Sequence, residues 1–238
     1  MTQENKSPFL QLDQVSFGYG SKEILHEINW NVSDHQITVL LGPNGAGKST
    51  LLSLIAGLHQ VQKGTIQFNQ TIIDFENQNY KSMVGYLQEF PFYYPALSVL
   101  EMMRLIGGLR QVPKNQLEIR IAKWLERFKL EDYQNIKMEE LSQGTKKRVA
   151  LASTLLHEPT ILILDEPTNG LDPDQVMIVR STLQEYLTEG RVILLSTHII
   201  GLAEKLADQV AILRNGRITY TGRSTIDLET LYITHQHD

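Results

Sequence analysis

The sequence predicts an α/β fold built on a largely parallel sheet. Short apolar runs of strand length recur along the chain and alternate with segments of helical periodicity, the pattern of successive β–α–β units. A glycine-rich segment at residues 42–47 lies directly between one such run and a helical pattern, which is the order strand, loop, helix. We therefore expect an α/β core with the glycine-rich loop at one end of a strand.

The first third of the chain is predicted to be rich in strands. Residues 9–17 alternate apolar and polar side chains, as a half-buried strand does. Residues 37–41 form an apolar run that leads straight into Gly42, and a buried helix follows the loop and ends at Gly57. The expected strands are residues 9–17, 24–32, 37–41, 65–68, 72–73 and 83–87, and the expected helix contains Leu51, Leu52, Leu54 and Ile55.

The middle of the chain is predicted to be helical, from Ser98 to about His157. One amphipathic helix is clearest, because its apolar residues recur at helical spacing on a single face. That face consists of Leu117, Ile121, Trp124, Leu125 and Phe128.

Strands return in the last third, and the segment after Gly222 is weakly patterned. A helix separates the first two of these strands, with Val176, Val179, Leu183 and Leu187 facing inward. The expected strands are residues 160–164, 191–195, 209–213 and 217–221.

Composition excludes several classes of chemistry. The chain has 238 residues, a formal net charge of -5 and no cysteine, so disulfides and thiolate metal sites are excluded. The acidic balance argues against nucleic-acid binding, and no nucleic-acid partner is expected. Residues 1–8 are polar and resemble no secretory signal, and no apolar run approaches the length of about 18 residues that spans a membrane. We expect a chain that does not cross a membrane by itself.

A phosphate-binding loop is predicted at the junction between strand and helix, where the sequence fits G-x-x-x-x-G-K-[ST]. Glycines let backbone N–H groups wrap around phosphate oxygens, and the N-terminus of the following helix adds partial positive charge. Lys48 would reach the β- and γ-phosphates, and the Ser49 hydroxyl would ligate Mg²⁺. The predicted nucleotide-binding residues are Gly42, Pro43, Asn44, Gly45, Ala46, Gly47, Lys48, Ser49 and Thr50.

Two carboxylates follow the apolar strand at residues 161–164. Asp165 suits a ligand of Mg²⁺, and Glu166 suits polarising a water molecule for attack on the γ-phosphate. A strand that merely ends at the surface can also finish in acidic residues, but this alternative is weaker beside a complete phosphate loop. The pair predicts nucleotide hydrolysis, with Glu166 as its catalytic residue.

A second anion site is predicted at the start of a later helix, in Leu-Ser-Gln-Gly-Thr-Lys-Lys-Arg. Ser142 is a favourable N-cap, and Gly144 leaves room for close approach to the helix N-terminus. One chain thus carries two half-sites for a triphosphate.

These motifs together resemble the ATP-binding-cassette (ABC) family, across residues 9–222. In that family the Leu-Ser-Gly-Gly-Gln signature of one subunit closes over the ATP held by the other subunit. Gln143 and Thr145 depart from that signature, whereas Ser142 and Gly144, which touch the γ-phosphate in the family, are retained. We expect the departures to alter affinity rather than abolish function.

The resemblance gives four further residues a role. Tyr19 is similar to the aromatic residue that stacks on adenine, and Asp172 to a loop that communicates between subunits. Gln88 resembles the glutamine that contacts Mg²⁺ and water, and His198 resembles the histidine that holds the γ-phosphate and orients Glu166. A structural role for Tyr19 or for a lone histidine stays open.

The resemblance also implies a domain organisation. It comprises a RecA-like P-loop NTPase core at about residues 1–90 and 158–222, with an antiparallel β subdomain and an inserted α-helical subdomain at about 91–157. Residues 1–222 then form one ABC ATPase domain, and residues 223–238 form a short tail.

ATP and Mg²⁺ are the implied cofactors, and the implied assembly is an ATP-dependent homodimer beneath transmembrane permease subunits, on the cytoplasmic side of the cell membrane. Aromatic residues and prolines at 89–95 suit a docking groove for such a permease.

The direction of transport is expected to be export. The residues within the motifs resemble those of bacterial exporters of drugs, polysaccharides and lipids and those of the gliding-motility type. The lack of a long C-terminal regulatory domain also favours export. A soluble iron–sulfur cluster assembly ATPase, or a nucleotide-dependent switch with little turnover, remains an alternative.

Overall fold

The computed structural model describes residues 9–73, 76, 78–188, 190–224 and 227–235. The N-terminal segment 1–8 and the last residues of the expected tail lie outside the described residues. None of the described helices is long and apolar enough to cross a membrane. In chain order the elements are β1 (Leu10–Tyr19), β2 (Lys22–Val32), β3 (Gln36–Leu41), α1 (Lys48–Ile55), β4 (Lys63–Phe68), β5 (Thr71–Ile72), α2 (Gln78–Met83), β6 (Val84–Leu87), α3 (Val99–Leu109), α4 (Lys114–Arg127), α5 (Gln143–Thr154), β7 (Ile161–Asp165), α6 (Pro173–Tyr186), β8 (Val192–Thr197), α7 (Ile200–Leu206), β9 (Gln209–Arg214), β10 (Arg217–Arg223) and α8 (Leu228–Thr234).

The described strands form two sheets. The first is antiparallel, in the order β2-β1-β4-β5, and the second has the order β10-β9-β3-β8-β7-β6. In the second sheet β6, β7, β8, β3 and β9 run parallel, and β10 pairs antiparallel with β9 at one edge. The largely parallel sheet predicted from the alternating pattern is confirmed.

The parallel sheet is buried on both faces, because its strands are apolar at nearly every position. In β3, Ile37, Val39 and Leu41 pack with the helices of the middle segment, whereas Leu40 faces the antiparallel sheet. This alternation follows from the two-residue period of a strand. The sheet therefore separates two apolar cores and forms a rigid base for the loops at its edge.

Helices α3, α4 and α5 fill the chain between β6 and β7, as the sequence predicts. Helix α3 begins with a capping box, in which Ser98 and Glu101 satisfy each other's backbone N–H groups. On α4 the predicted face packs inward, with Ile121, Trp124 and Leu125 buried.

Three helices were not expected from the sequence: α2, α7 and α8. Met83 was expected to begin a strand but ends α2. The segment expected to be a tail contains α8, which Asp227 caps and whose Leu228 is fully buried. Each of these helices has only six or seven residues, too few for a helical period to stand out in the sequence.

Candidate active site

The catalytic candidates lie along one edge of the parallel sheet. Because β3, β8, β7 and β6 are parallel neighbours, their carboxyl ends meet at the same edge. The phosphate loop follows β3, His198 follows β8, Asp165 ends β7 and Gln88 follows β6. The edge formed by the carboxyl ends of the strands is where α/β proteins bind their ligands.

The phosphate loop has the backbone that an anion-binding turn requires. Gly45 and Gly47 have φ values of 80° and 106°, in the left-handed region that favours glycine. At Gly42, a Cβ atom would lie 2.3 Å from the carbonyl oxygen of Leu213, so only glycine fits against β9. No side chain caps the N-terminus of α1 at Gly47. The N–H groups of its first turn are thus left for an anion.

Lys48 is buried at the centre of the site. Its Nζ donates to the carbonyl oxygens of Gly42 (2.8 Å) and Pro43 (3.2 Å) and lies 3.8 Å from Oε1 of Glu166. Burial lowers the pKa of Lys48, although the carboxylates of Glu166 and Asp165 oppose that shift. A bound phosphate would add negative charge beside this ammonium group and stabilise its charged form, which fits the role predicted for Lys48.

Ser196 holds the two carboxylate residues in place. Its hydroxyl donates to Oδ1 of Asp165 and accepts the backbone N–H of Glu166 (3.1 Å). Glu166 has a φ of 46°, a left-handed conformation that costs energy for a residue with a side chain. The hydrogen bond from its backbone N–H to Ser196 holds the chain at this point, immediately after β7.

The Glu166 carboxylate is nearly fully buried, and only one of its two oxygens has a hydrogen-bond partner. Its Oε1 lies 2.9 Å from Nδ1 of His198, while its Oε2 is buried without a hydrogen-bond partner in the structure. A buried carboxylate oxygen without a hydrogen-bond partner costs free energy, and such a group in a folded protein calls for an explanation. A water molecule positioned for attack on a γ-phosphate would satisfy it, with His198 orienting the carboxylate.

The residues available to hold Mg²⁺ are few and fit its chemistry. Ser49 is exposed at the start of α1, Asp165 is buried at the end of β7, and Gln88 is exposed after β6. No cluster of three acidic or histidine side chains forms a metal cage within the described residues. Mg²⁺ is usually bound through one or two protein oxygen ligands plus substrate phosphates, so a hydroxyl, a carboxylate and an amide suit it.

The second predicted anion site forms the N-terminus of α5. Ser142 caps the helix by accepting the N–H of Thr145 (3.1 Å), and Ser142 is itself exposed. Gly144 lies against the following loop, because a Cβ there would come within 2.9 Å of the carbonyl oxygen of Gly170. The exposed residues at this helix end, Ser142 and Gln143, are accessible to a ligand.

Two predicted residues make mainly structural contacts in this structure. Tyr19 packs edge-on against Phe17 and His59 and stays 51% exposed. Asp172 caps α6 by accepting the N–H of Gln175 (2.9 Å). The roles predicted for both residues stay predictions.

The structure adds contacts that no motif indicates. Lys147 donates to the carbonyl oxygen of Glu89, and Nδ2 of Asn169 lies 3.4 Å from Oε1 of Glu89. Together with Ser196, these residues support the predicted site. Each lies beside a recognised motif, but its partner is distant in the sequence.

The fold and the phosphate loop define the protein as a P-loop NTPase. A family model described as ABC transporter matches residues 25–169. The chain is 33% identical over 216 residues to an uncharacterized ABC transporter ATP-binding protein of Methanocaldococcus jannaschii, covering 91% of this chain and 78% of that protein. It is 32% identical to the Nod factor export ATP-binding protein I of Rhizobium etli, covering 90% of this chain and 68% of that protein.

A solved structure of the ATP binding subunit of an ABC transporter has the same fold, with a TM-score of 0.88 and 30% identity. That similarity covers 96% of this chain and 99% of the other. The chain therefore belongs to the ABC transporter ATP-binding family, and it is an ATPase. The fold class and the family expected from the sequence are confirmed.

Proposed function

We propose that this chain is the Mg²⁺-dependent ATPase of an exporter, working as a homodimer beneath a membrane permease. One observation supports the proposal: the chain has two helix N-termini suited to an anion, one where Lys48 lies 3.8 Å from Glu166 and the other at Ser142, which is exposed. Two copies related by a twofold axis can each complete the site of the other, as closed dimers do.

In this proposal the phosphate loop holds ATP, and Lys48 exchanges the carbonyl oxygens of Gly42 and Pro43 for phosphate oxygens. Ser49, Asp165 and Gln88 hold Mg²⁺, which when bound neutralises charge on the phosphates. Tyr19 supports the adenine ring.

Glu166 carries the hydrolytic step. Its unpaired Oε2 accepts a hydrogen bond from the attacking water and takes up its proton, while His198 keeps the carboxylate in position. The buried position of Glu166 excludes bulk water from this oxygen.

ATP closes the dimer because its phosphates lie between the loop of one copy and Ser142, Gly144 and the Asp172 loop of the other. Loss of the γ-phosphate removes that bridge and lets the dimer reopen. A difference in affinity between ATP and ADP for the closed state is what drives a conformational change in the permease.

A groove between the sheet and the inserted helices is the proposed permease site. The groove has a volume of about 290 Å³, and its rim exposes two large apolar side chains, Phe92 at 74% and Leu109 at 73%. Exposed apolar anchors around a concave surface mark protein–protein contacts. The assembly then lies on the cytoplasmic side of the cell membrane. The apolar side chains that line the groove include Leu87, Pro91, Phe92, Met102, Ile106 and Leu109.

Replacing both rim residues, in Phe92→Ser with Leu109→Ser, should lower the fraction of the chain bound to membranes by about 10-fold or more, because both anchors are lost. The measurement is sedimentation with membranes of the cells that produce the chain. The matched control is Ile119→Ser with Met177→Ser, which removes two equally exposed apolar side chains (70% and 68%) outside the groove. Equal membrane binding by both double variants would place the permease contact elsewhere.

Export is proposed from the relatives named Nod factor export proteins, which are 31–33% identical to this chain. Inside-out membrane vesicles with ATP outside should accumulate cargo in their lumen if the complex exports. Untargeted mass spectrometry of the lumen, with vesicles carrying Glu166→Gln as the blank, would detect it. ATP-driven loss of a preloaded compound from these vesicles would instead indicate import.

A further inference from the structure

Three consecutive cationic residues at the start of α5 are buried: Lys146, Lys147 and Arg148. Each has a different partner. Lys146 lies 4.8 Å from the ring centre of Tyr93, and Arg148 donates to the carbonyl oxygen of Phe128 (2.7 Å). These two contacts stay within the helical part of the chain. Lys147 alone reaches across to the catalytic edge of the sheet.

Lys147 donates from Nζ to the carbonyl oxygen of Glu89 at 2.5 Å, and it is only 5% exposed. Burial lowers its pKa, against the attraction of Glu89, Asp165 and Glu166. A second ammonium group, besides that of Lys48, thus lies in the field of the catalytic carboxylates. Burying a charge is costly, so its retention here calls for a compensating role.

The turn that Lys147 holds contains Gln88. Glu89 follows Gln88 directly, and it is fixed twice, by Lys147 on its carbonyl oxygen and by Asn169 on its carboxylate. Gln88 itself is exposed, just after the end of β6. The position of the Gln88 side-chain amide therefore depends on the backbone of Glu89, to which Lys147 is hydrogen-bonded.

We propose that Lys147 is a positioning residue for Gln88, and that it links the signature helix, α5 with its N-cap Ser142, to the active site of the same chain. Lys147 lies little more than one helical turn after Ser142 on α5. A shift of α5 moves the Lys147 ammonium and with it the Glu89 carbonyl and Gln88. This link between α5 and the active site rests on the proposed function, in which Ser142 contacts the ATP held by the other copy. The ATP bound to one copy then changes the position of Gln88 in the other copy.

Lys147→Met is the direct test in the purified full chain, because it keeps an unbranched side chain only one atom shorter and removes its donor and its charge. We expect kcat to fall about 10-fold or more and the Mg²⁺ concentration for half-maximal activity to rise several-fold, with ATP affinity measured without Mg²⁺ nearly unchanged. Lys147→Arg, which restores a charged donor, should recover part of kcat. The matched control Lys146→Met removes the neighbouring buried ammonium and should keep the wild-type dependence on Mg²⁺.

A double-mutant cycle with Gln88→Ala decides whether Lys147 acts through Gln88. If it does, Lys147→Met lowers kcat little further in a chain that already carries Gln88→Ala. Additive losses, or wild-type kcat and Mg²⁺ dependence in Lys147→Met, would overturn the proposal. Should Lys147→Met fail to fold, Lys147→Gln, which keeps a neutral donor, enters the same cycle.

Failure of the proposed function gives a different result. If Gln88→Ala leaves kcat and Mg²⁺ dependence unchanged, the role of Gln88 is wrong, and the role of Lys147 falls with it. If Gln88→Ala is impaired and Lys147→Met is not, only the inference about Lys147 is wrong.

Discussion

The Glu166→Gln chain should bind ATP but hydrolyse it about 100- to 10,000-fold more slowly, the range over which a general base contributes. Glutamine has the same shape and can still meet His198, but it cannot take a proton from water. Its loss of charge also removes repulsion between this buried side chain and the γ-phosphate. ATP affinity is therefore expected to hold or to increase.

Phosphate release measures turnover, and size-exclusion chromatography with ATP and Mg²⁺ measures assembly. In the proposed two-copy site, ATP that is not hydrolysed keeps bridging the copies, so Glu166→Gln should elute as a stable dimer. Glu126→Gln is the matched control, because Glu126 is an exposed carboxylate on α4 and belongs to none of the predicted motifs. Hydrolysis by Glu166→Gln at near the wild-type rate would show that another group activates the water.

Much of the site could be predicted because its signals are local in the sequence. The phosphate loop needs glycines at fixed positions between a strand and a helix, and Gly45 and Gly47 adopt the left-handed conformations that the pattern implies. Asp165 and His198 end or follow apolar strands, and parallel strands bring their carboxyl ends to the same edge. Each residue can therefore be recognised from its own segment of sequence, and the pairing of the parallel strands brings these residues together.

The supporting contacts could not be predicted, because their partners are far apart in the sequence. Lys147 meets Glu89 from 58 residues away, and Asn169 meets it from 80 residues away. A lysine in a helix is usually solvated, so the sequence offers no reason to expect Lys147 to be buried against the carbonyl oxygen of Glu89. Such contacts depend on how α5 packs against the sheet.

The orientation of individual side chains could not be predicted from the sequence either. The motif marks Tyr19 as an aromatic residue at a strand end, but its contact with His59 depends on where the loop after α1 lies. The unpaired Oε2 of Glu166 is likewise a feature of the folded site. Sequence patterns predict which residues carry the chemistry, and packing determines what each of these residues contacts.

Lys48→Ala should weaken ATP binding about 10- to 100-fold, because hydrogen bonds to a charged group contribute about 1.5–3 kcal/mol. Binding of AMP, which lacks the β- and γ-phosphates, should change much less. Fluorescence titration measures both affinities, and Lys63→Ala, at an exposed position of β4, is the control. Unchanged ATP affinity in Lys48→Ala would contradict the assignment of the phosphate loop.

Mixing Lys48→Ala with Ser142→Asp then tests whether the site is shared between copies. Aspartate still caps α5, so Ser142→Asp keeps the helix but places a negative charge against the γ-phosphate, and each variant alone should be nearly inactive. A mixed dimer has one intact site, made of the Ser142→Asp loop and the Lys48→Ala signature helix. Because half of randomly paired dimers are mixed, the mixture should regain up to about one quarter of wild-type activity. A chain whose loop and signature acted on the same ATP within one molecule would regain none, since every copy in the mixture would carry one defect.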